Sequence, residues 1–282
     1  MKKGTLRERL RHALTWPFRA VRDFMQREPE ASSPDSLIRV IEKPSLLIEH
    51  IDALRGHLIR SAISLAIATM IAFAFAARIL DFLAAPIGGV PALRAIEVTE
   101  SIGAFMRISL LGGLVLASPY IFLEFFLFIN PALKPRERTT LLSAIPASAA
   151  LFVGGLVFAY YIMLPAALPF LLHFGGIVTV PRPSNYVRFV TGVLFWMGVS
   201  FEFPLVLYAL AAVGWVKTRL LLRGWRVAIV VIAVLAAAIT PTVDPVNMSL
   251  VMAPMIALYF LGIGLAALAE RRRRGHTPQV SQ

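Results

Sequence analysis

Six stretches of this chain carry apolar side chains on every face of a would-be helix: residues 61–79, 108–129, 141–164, 189–212, 227–239 and 250–269. A single apolar stripe would suit a water-facing helix, whereas apolar positions all round suit burial in a membrane or core. Crossing about 30 Å of hydrocarbon takes about 20 apolar residues in a helix. Lipid offers no partner to backbone N–H and C=O groups, so each crossing must satisfy its own. The pattern predicts an all-α polytopic membrane protein with six transmembrane helices, and an even number returns both termini to one side. The fifth stretch reaches only about 20 Å at 1.5 Å per residue, unless Trp225 and Thr240 extend it. It therefore predicts local bilayer thinning, tilted neighbours or shelter against protein.

In residues 1–26, Leu6, Leu10, Leu14, Phe18, Val21 and Met25 recur at spacings of three and four, with arginines between them. This reads either as an amphipathic basic helix, interrupted near Pro17 and lying on anionic membrane lipids, or as an unstructured basic extension. Residues 28–36 are rich in Pro, Ser and acids and predict a linker, and from Pro44 a helix is expected to lead through Leu47, Leu54 and Leu58 into the first crossing. The expected organisation is a basic cytoplasmic extension and linker at 1–44, a six-helix membrane domain at 45–270 and a basic cytoplasmic tail at 271–282. Pro119, Pro146, Pro165, Pro204 and Pro254 interrupt the apolar stretches. Each removes a backbone donor and bends or ends a helix, which predicts a fixed, curved bundle.

The 282 residues are 58% hydrophobic and carry a net charge of +12. That excess need not mean nucleic acid, because its distribution follows the membrane. Basic residues flanking the crossings are retained in the cytoplasm, and 23 of the 28 fall before residue 61, between the second and third crossings, between the fourth and fifth, or at 271–274. The remaining five are Arg78, Arg94, Arg107, Arg182 and Arg188. Both termini are expected in the cytoplasm, and nucleic-acid binding is not expected. The absence of cysteine excludes disulfides and thiolate metal sites. Residues 1–30 lack the apolar run of a cleavable signal peptide, so the first crossing is expected to serve as its own insertion signal.

Within the apolar stretches, acids are the informative residues. Glu202 is the one charged residue between 189 and 212. A carboxylate at that depth costs roughly 2.5–3.5 kcal/mol on insertion scales, which predicts that it faces protein or a water-filled cavity and not lipid. Glu124, read near the centre of the second crossing, is a second such acid. Glu137 sits among Lys134, Arg136 and Arg138 in the short second inner loop. It is either a solvated charge paired with those arginines or a fixed carboxylate for an incoming guanidinium, which binds carboxylates through two parallel hydrogen bonds. Asp244, in the turn before the last crossing, reads as a helix N-cap. Five scattered histidines form no HExxH pair, Gly198 to Glu202 misses the G-x-S-x-G pattern at its last position, and no glycine-rich phosphate loop precedes a helix. No enzyme, metal or cofactor is expected.

Several ordered motifs together resemble the TatC family, the polytopic core subunit of the twin-arginine protein translocase, over residues 45–270. They are Glu-His-Ile-Asp-Ala-Leu-Arg at 49–55, Phe-Ile-Asn-Pro-Ala-Leu at 128–133 followed by Arg-Glu-Arg at 136–138, and Phe-Ala-Tyr-Tyr at 158–161. Further on come Gly-Val-Ser-Phe-Glu-Phe-Pro at 198–204, Ile-Thr-Pro at 239–241 and Asp-Pro at 244–245. The resemblance implies six helices with the last two short, both termini inside, in the cell inner membrane. It implies a receptor in an oligomeric complex that binds signal peptides with paired arginines and exports folded proteins with TatA-type and TatB-type single-span subunits, driven by the proton gradient. It places signal-peptide contact at Glu137, with Phe128 beside it, and in the segment before the first crossing that holds Arg55. Glu202 and Tyr160 match intramembrane positions of the family, and Asp244 a position of the outer turn.

The chain also departs from the family pattern. The motif before the first crossing usually reads His-Leu-x-Glu-Leu-Arg, and Ala53 replaces its glutamate. Asp52 is adjacent but about 100° round the helix, whereas Glu49 lies one turn earlier on nearly the same face, so Glu49 is the expected substitute. Glu124 and Met248 stand where the family has glutamine, and Phe260 where it commonly has glutamate. Two alternatives stay open at this stage. One is a divergent relative without cargo recognition; the other is a proton-coupled secondary transporter using Glu124 and Glu202 as a relay, although no repeated halves of the kind such transporters show are visible.

Overall fold

A computed structural model describes residues 44–129, 135–173, 179–240 and 245–274; of residues 44–50, 129, 135–144, 213, 246, 247, 273 and 274 it describes the backbone alone. The expected basic helix and linker before Pro44, and the N-cap role of Asp244, lie outside the described residues. In chain order the helices are α1 (Pro44–Ala74), α2 (Ala76–Ala84), α3 (Glu100–Ile129), α4 (Pro135–Phe158), α5 (Leu164–Leu172), α6 (Pro183–Val213), α7 (Thr218–Arg223), α8 (Trp225–Ile239) and α9 (Pro245–Arg274). Single 3₁₀ turns follow α2, a π-helical turn at Ala159–Met163 joins α4 to α5, and no strand occurs among the described residues.

Five segments are long and apolar enough to cross a membrane: Ile51–Ala74, Glu100–Phe128, Ile145–Leu172, Pro183–Ala212 and Met248–Arg272. Helix α8 is a sixth, shorter apolar helix of 15 residues, about 22 Å long at 1.5 Å per residue. The six expected crossings are therefore present, and Trp225 does extend the fifth. The expectation of two short final helices holds for α8 and fails for α9, which runs for 30 residues. Its end is built of Leu, Ala, Glu and Arg, all strong helix formers, and these carry it past the apolar stretch into the basic tail. The end of the bundle where α1 begins and α9 finishes is its basic end, and the opposite one its far end.

The first crossing was expected to run unbroken through 61–79, but it breaks at Phe75 (φ −106°, ψ 4°). No proline or glycine marks the place; the cause is tertiary. The break turns Ala76, Leu80, Leu83 and Ala84 into the core. The last carbonyls of α2 are then taken by side chains from elsewhere: Tyr160 donates to Phe82 O and Tyr186 to Leu83 O, each at 2.6 Å. Carbonyls at a helix end have no partner within the helix; the phenols bond two of them where Pro86, which has no N–H to continue the ladder, ends α2.

At the far end, Ile108 of α3, Leu164 of α5, and Val187 and Val190 of α6 are fully buried in one cluster with the inner face of α2. A smaller cluster joins Leu207 of α6, Ile232 of α8 and Tyr259 and Ile263 of α9. Outward faces of α1 and α8 are apolar and exposed, at Ile63, Ile67, Met70, Val227, Val230 and Val234, as lipid-facing positions should be. Since lipid tails are as apolar as leucine, helices in a membrane associate through close packing of small residues. Two glycines show this. A Cβ on Gly113 of α3 would stand 2.6 Å from the Thr69 backbone of α1, and one on Gly155 of α4 would stand 2.7 Å from Met197 O of α6.

Pro119, Pro146, Pro204 and Pro254 lie inside α3, α4, α6 and α9. Pro165 stands in the first turn of α5, directly after the π turn. Its missing donor and bulky ring cannot be fitted into a regular helix interior, and a single π turn is a common way to absorb the mismatch.

Candidate functional site

At the basic end, His57 and Arg60 project from one face of α1, three residues apart, toward Glu124 of α3. His57 Nδ1 lies 2.7 Å from Glu124 Oε2, and Arg60 donates from Nε to Glu124 Oε1 at 2.9 Å. Glu124 is completely buried, so both carboxylate oxygens are held by α1. The edge of the His57 ring meets Phe128 one turn further along α3, with centroids 6.0 Å apart. Phe128 is thus tied to the carboxylate through His57. Glu124 was expected near the centre of its crossing. It lies instead five residues from the end of α3, which stops at Ile129, the last residue of the apolar stretch. His57 and Arg60 were missed in the sequence, although both stand at helical spacing just before the apolar stretch, where a buried acid would find its countercharge.

Asp52 and Arg55 are exposed on the same helix, as is Ala53. Glu49 belongs to the second turn of α1 and Glu137 is the third residue of α4; their side chains lie outside the described residues. Met248, in the first turn of α9, packs against the far-end cluster, and Phe260 faces outward, 47% exposed.

Between α3, α4 and α6 runs an apolar groove of about 480 Å³. Phe122, Phe125 and Phe126 of α3 form one wall, Phe195, Val199, Leu205 and Val206 of α6 the other, and Ser148 and Phe152 of α4 the floor. Its α6 wall extends from Phe195 to Leu210, about 22 Å of helix, and Trp215 lies at its basic-end mouth. Glu202 stands halfway along this wall. Ser148, itself 2% exposed, donates its hydroxyl to Glu202 Oε2. Glu202 Oε1 is buried with no hydrogen-bond partner among the described residues.

Glu202, Glu124 and Tyr160 do not share one site. Glu124 is closed off between α1 and α3. Tyr160, stacked on Phe82 with centroids 4.2 Å apart, lines a separate cavity of about 350 Å³ between α2, α3 and α4 toward the far end. Also at the far end, Arg182, just before α6, donates from Nε to Glu100 Oε1 at 2.7 Å and from Nη2 to Glu97 Oε1 at 2.8 Å. Among the described residues, no three His, Asp or Glu side chains converge as a metal site would require.

The profile of the family described as Sec-independent protein translocase protein (TatC) matches residues 49–254. The chain is 36% identical over 228 residues to the Sec-independent protein translocase protein TatC of Carboxydothermus hydrogenoformans, spanning 80% of this chain and 94% of that one. It is 35% identical over 235 residues to the protein of the same name from Aquifex aeolicus, spanning 81% and 97%. A crystal structure of the twin arginine translocase receptor TatC superposes with a TM-score of 0.70 at 35% identity, covering 78% of this chain and 99% of that chain. With the match running through five of the six crossings and into the last, and the fold shared over almost the whole of the solved receptor, this chain belongs to the TatC family.

Proposed function

We propose that this chain is the multi-pass receptor and core subunit of a Sec-independent, twin-arginine protein translocase, with its basic end in the cytoplasm. The observation that carries this reading is the apolar groove, reaching to Trp215 toward the basic end, with one buried carboxylate oxygen halfway along it that has no hydrogen-bond partner among the described residues. A signal peptide has a cationic start and an apolar stretch, and the site offers acids for the one and the groove for the other. Glu137, with Glu49 or Asp52, would receive the paired guanidinium groups; Arg55 and Phe128 frame that surface. The surrounding surface is strongly positive, yet opposite charges in contact still prevail locally because salt screens beyond about 8 Å. No covalent step is needed.

In this reading the groove holds the apolar part of the peptide, or a helix of a TatA-type or TatB-type subunit, and Glu202 Oε1 accepts a hydrogen bond from the occupant. Asp244 and Met248 would contribute to partner docking at the outer turn. Glu124 and Glu202 have separate partners, an arrangement that favours a receptor over a transporter with a proton relay between them.

Losing a charge-assisted hydrogen-bond pair costs about 1.5–3 kcal/mol, so Glu137→Ala should lower crosslinking of a paired-arginine precursor about tenfold or more. Its membrane level should stay unchanged; wild-type crosslinking would overturn the assignment. Glu202→Leu is expected to insert and melt at or above the wild-type temperature, because it removes a buried, half-satisfied carboxylate. Photocrosslinks from Val199 or Val206 to a single-span subunit or to the precursor should fall sharply in the same variant. If those crosslinks persist at full strength, Glu202 has no part in receiving the occupant.

A further inference from the structure

A third cavity, on the other side of α6, lies outside this function. It measures about 720 Å³ and is lined by Lys217, Thr218, Arg219 and Leu222 of the α7 segment and by Ala267, Glu270 and Arg271 of α9. Five of its seven lining residues are polar or charged, unlike those of the groove. Lys217, Arg219 and Arg271 are exposed, and no ion pair joins any of the three to another described residue. The one acid in the wall, Glu270, accepts the Thr218 N–H at 3.2 Å. The Thr218 hydroxyl oxygen is buried without a hydrogen-bond partner among the described residues.

The cavity is held in shape from both sides. Gly214, at φ 86°, ends α6 in the left-handed conformation, and Leu210 O receives the N–H groups of Gly214 and Trp215. That reversal sets Lys217 and Thr218 in place. Tyr259 of α9 donates to Leu221 O at 2.7 Å and pins α7 from the other side. Depth is marked by Trp215 and Trp225, 68% and 41% exposed, and by the exposed Leu220 and Leu222. Tryptophans of this kind sit at the level of the lipid headgroups, and basic pockets between helices at that level bind anionic headgroups.

We propose that this cavity binds the phosphate headgroup of an anionic phospholipid from the leaflet at the basic end. Lys217, Arg219 and Arg271 surround the phosphate, and Leu222 and Ala267 meet the start of the acyl chains. That apolar side favours a lipid over a free phosphate ion, which would gain nothing from it.

The test uses the full chain purified in detergent, with bound lipid counted by native mass spectrometry against phosphatidylglycerol, phosphatidylcholine and inorganic phosphate. Wild type should retain phosphatidylglycerol in preference to phosphatidylcholine. The double variant Lys217→Gln with Arg219→Gln should bind phosphatidylglycerol about thirtyfold more weakly, at about fivefold per cation. Arg223→Gln with Arg226→Gln, an equal charge change outside the cavity, should alter it less than about threefold. Equal losses in the two variants would mean a diffuse surface field and overturn the site. Displacement of phosphatidylglycerol by millimolar inorganic phosphate would overturn the lipid assignment.

Discussion

Arg60→Leu is expected to destabilise the protein by about 3–5 kcal/mol, the usual penalty for removing one partner of a buried ion pair. The reason is the asymmetry of the cluster. Arg60 is partly exposed, but Glu124 has a side-chain exposure of 1% and would lose its arginine countercharge while still buried. Polar contacts between membrane helices average below 1 kcal/mol when measured as pairs, but that figure describes groups that find other partners when separated. A fully buried carboxylate does not. Glu124→Gln should be far milder, since an amide fills the same space and leaves no buried charge without its countercharge. Combining the two changes should recover most of the loss. Thermal unfolding of the four proteins gives the coupling directly, and a wild-type melting temperature for Arg60→Leu would show that the cluster contributes nothing.

Gly155→Leu is expected to be as damaging by a different route. Even the first added carbon would lie 2.7 Å from Met197 O and 2.8 Å from Gly198 Cα. Both are backbone atoms, so no side-chain rotation relieves the clash and α4 must move away from α6. Overpacking costs typically 1–3 kcal/mol when side chains can shift; here the backbone must shift, and the remaining leucine atoms add to the displacement. The neighbouring residue is the natural control, because a Cβ on Gly154 meets nothing within 4 Å. Gly154→Leu should accumulate in the membrane at nearly wild-type level while Gly155→Leu does not. Similar levels for both would mean that the close approach of these helices is unimportant.

The six crossings were legible because each is an apolar run with no competing explanation. Their ends were less so. Residues 100–107, 183–188 and 271–274 are too polar to be counted as membrane, yet all continue helices, and this is why α9 was expected to be short. The break at Phe75 left no trace in the local sequence, since what it serves is burial of Ala76, Leu80, Leu83 and Ala84 among residues far along the chain. Within the candidate site, Glu202 announced itself as a lone charge in an apolar run. Its partner Ser148 did not, because a serine in a membrane helix is unremarkable until the helix facing it is known. His57 and Arg60 could have been found by asking what neutralises Glu124.

The Arg182 clasp has a mechanical consequence. It ties the first turn of α3 to the start of α6 at the far end, and among the described residues it supplies the side-chain hydrogen bonds that join these two helices. The two walls of the groove therefore behave like jaws on a pivot at the far face. A wedge entering from the other side would spread them most at the mouth and least beside the clasp, so widening at the entrance need not break the seal on the opposite surface.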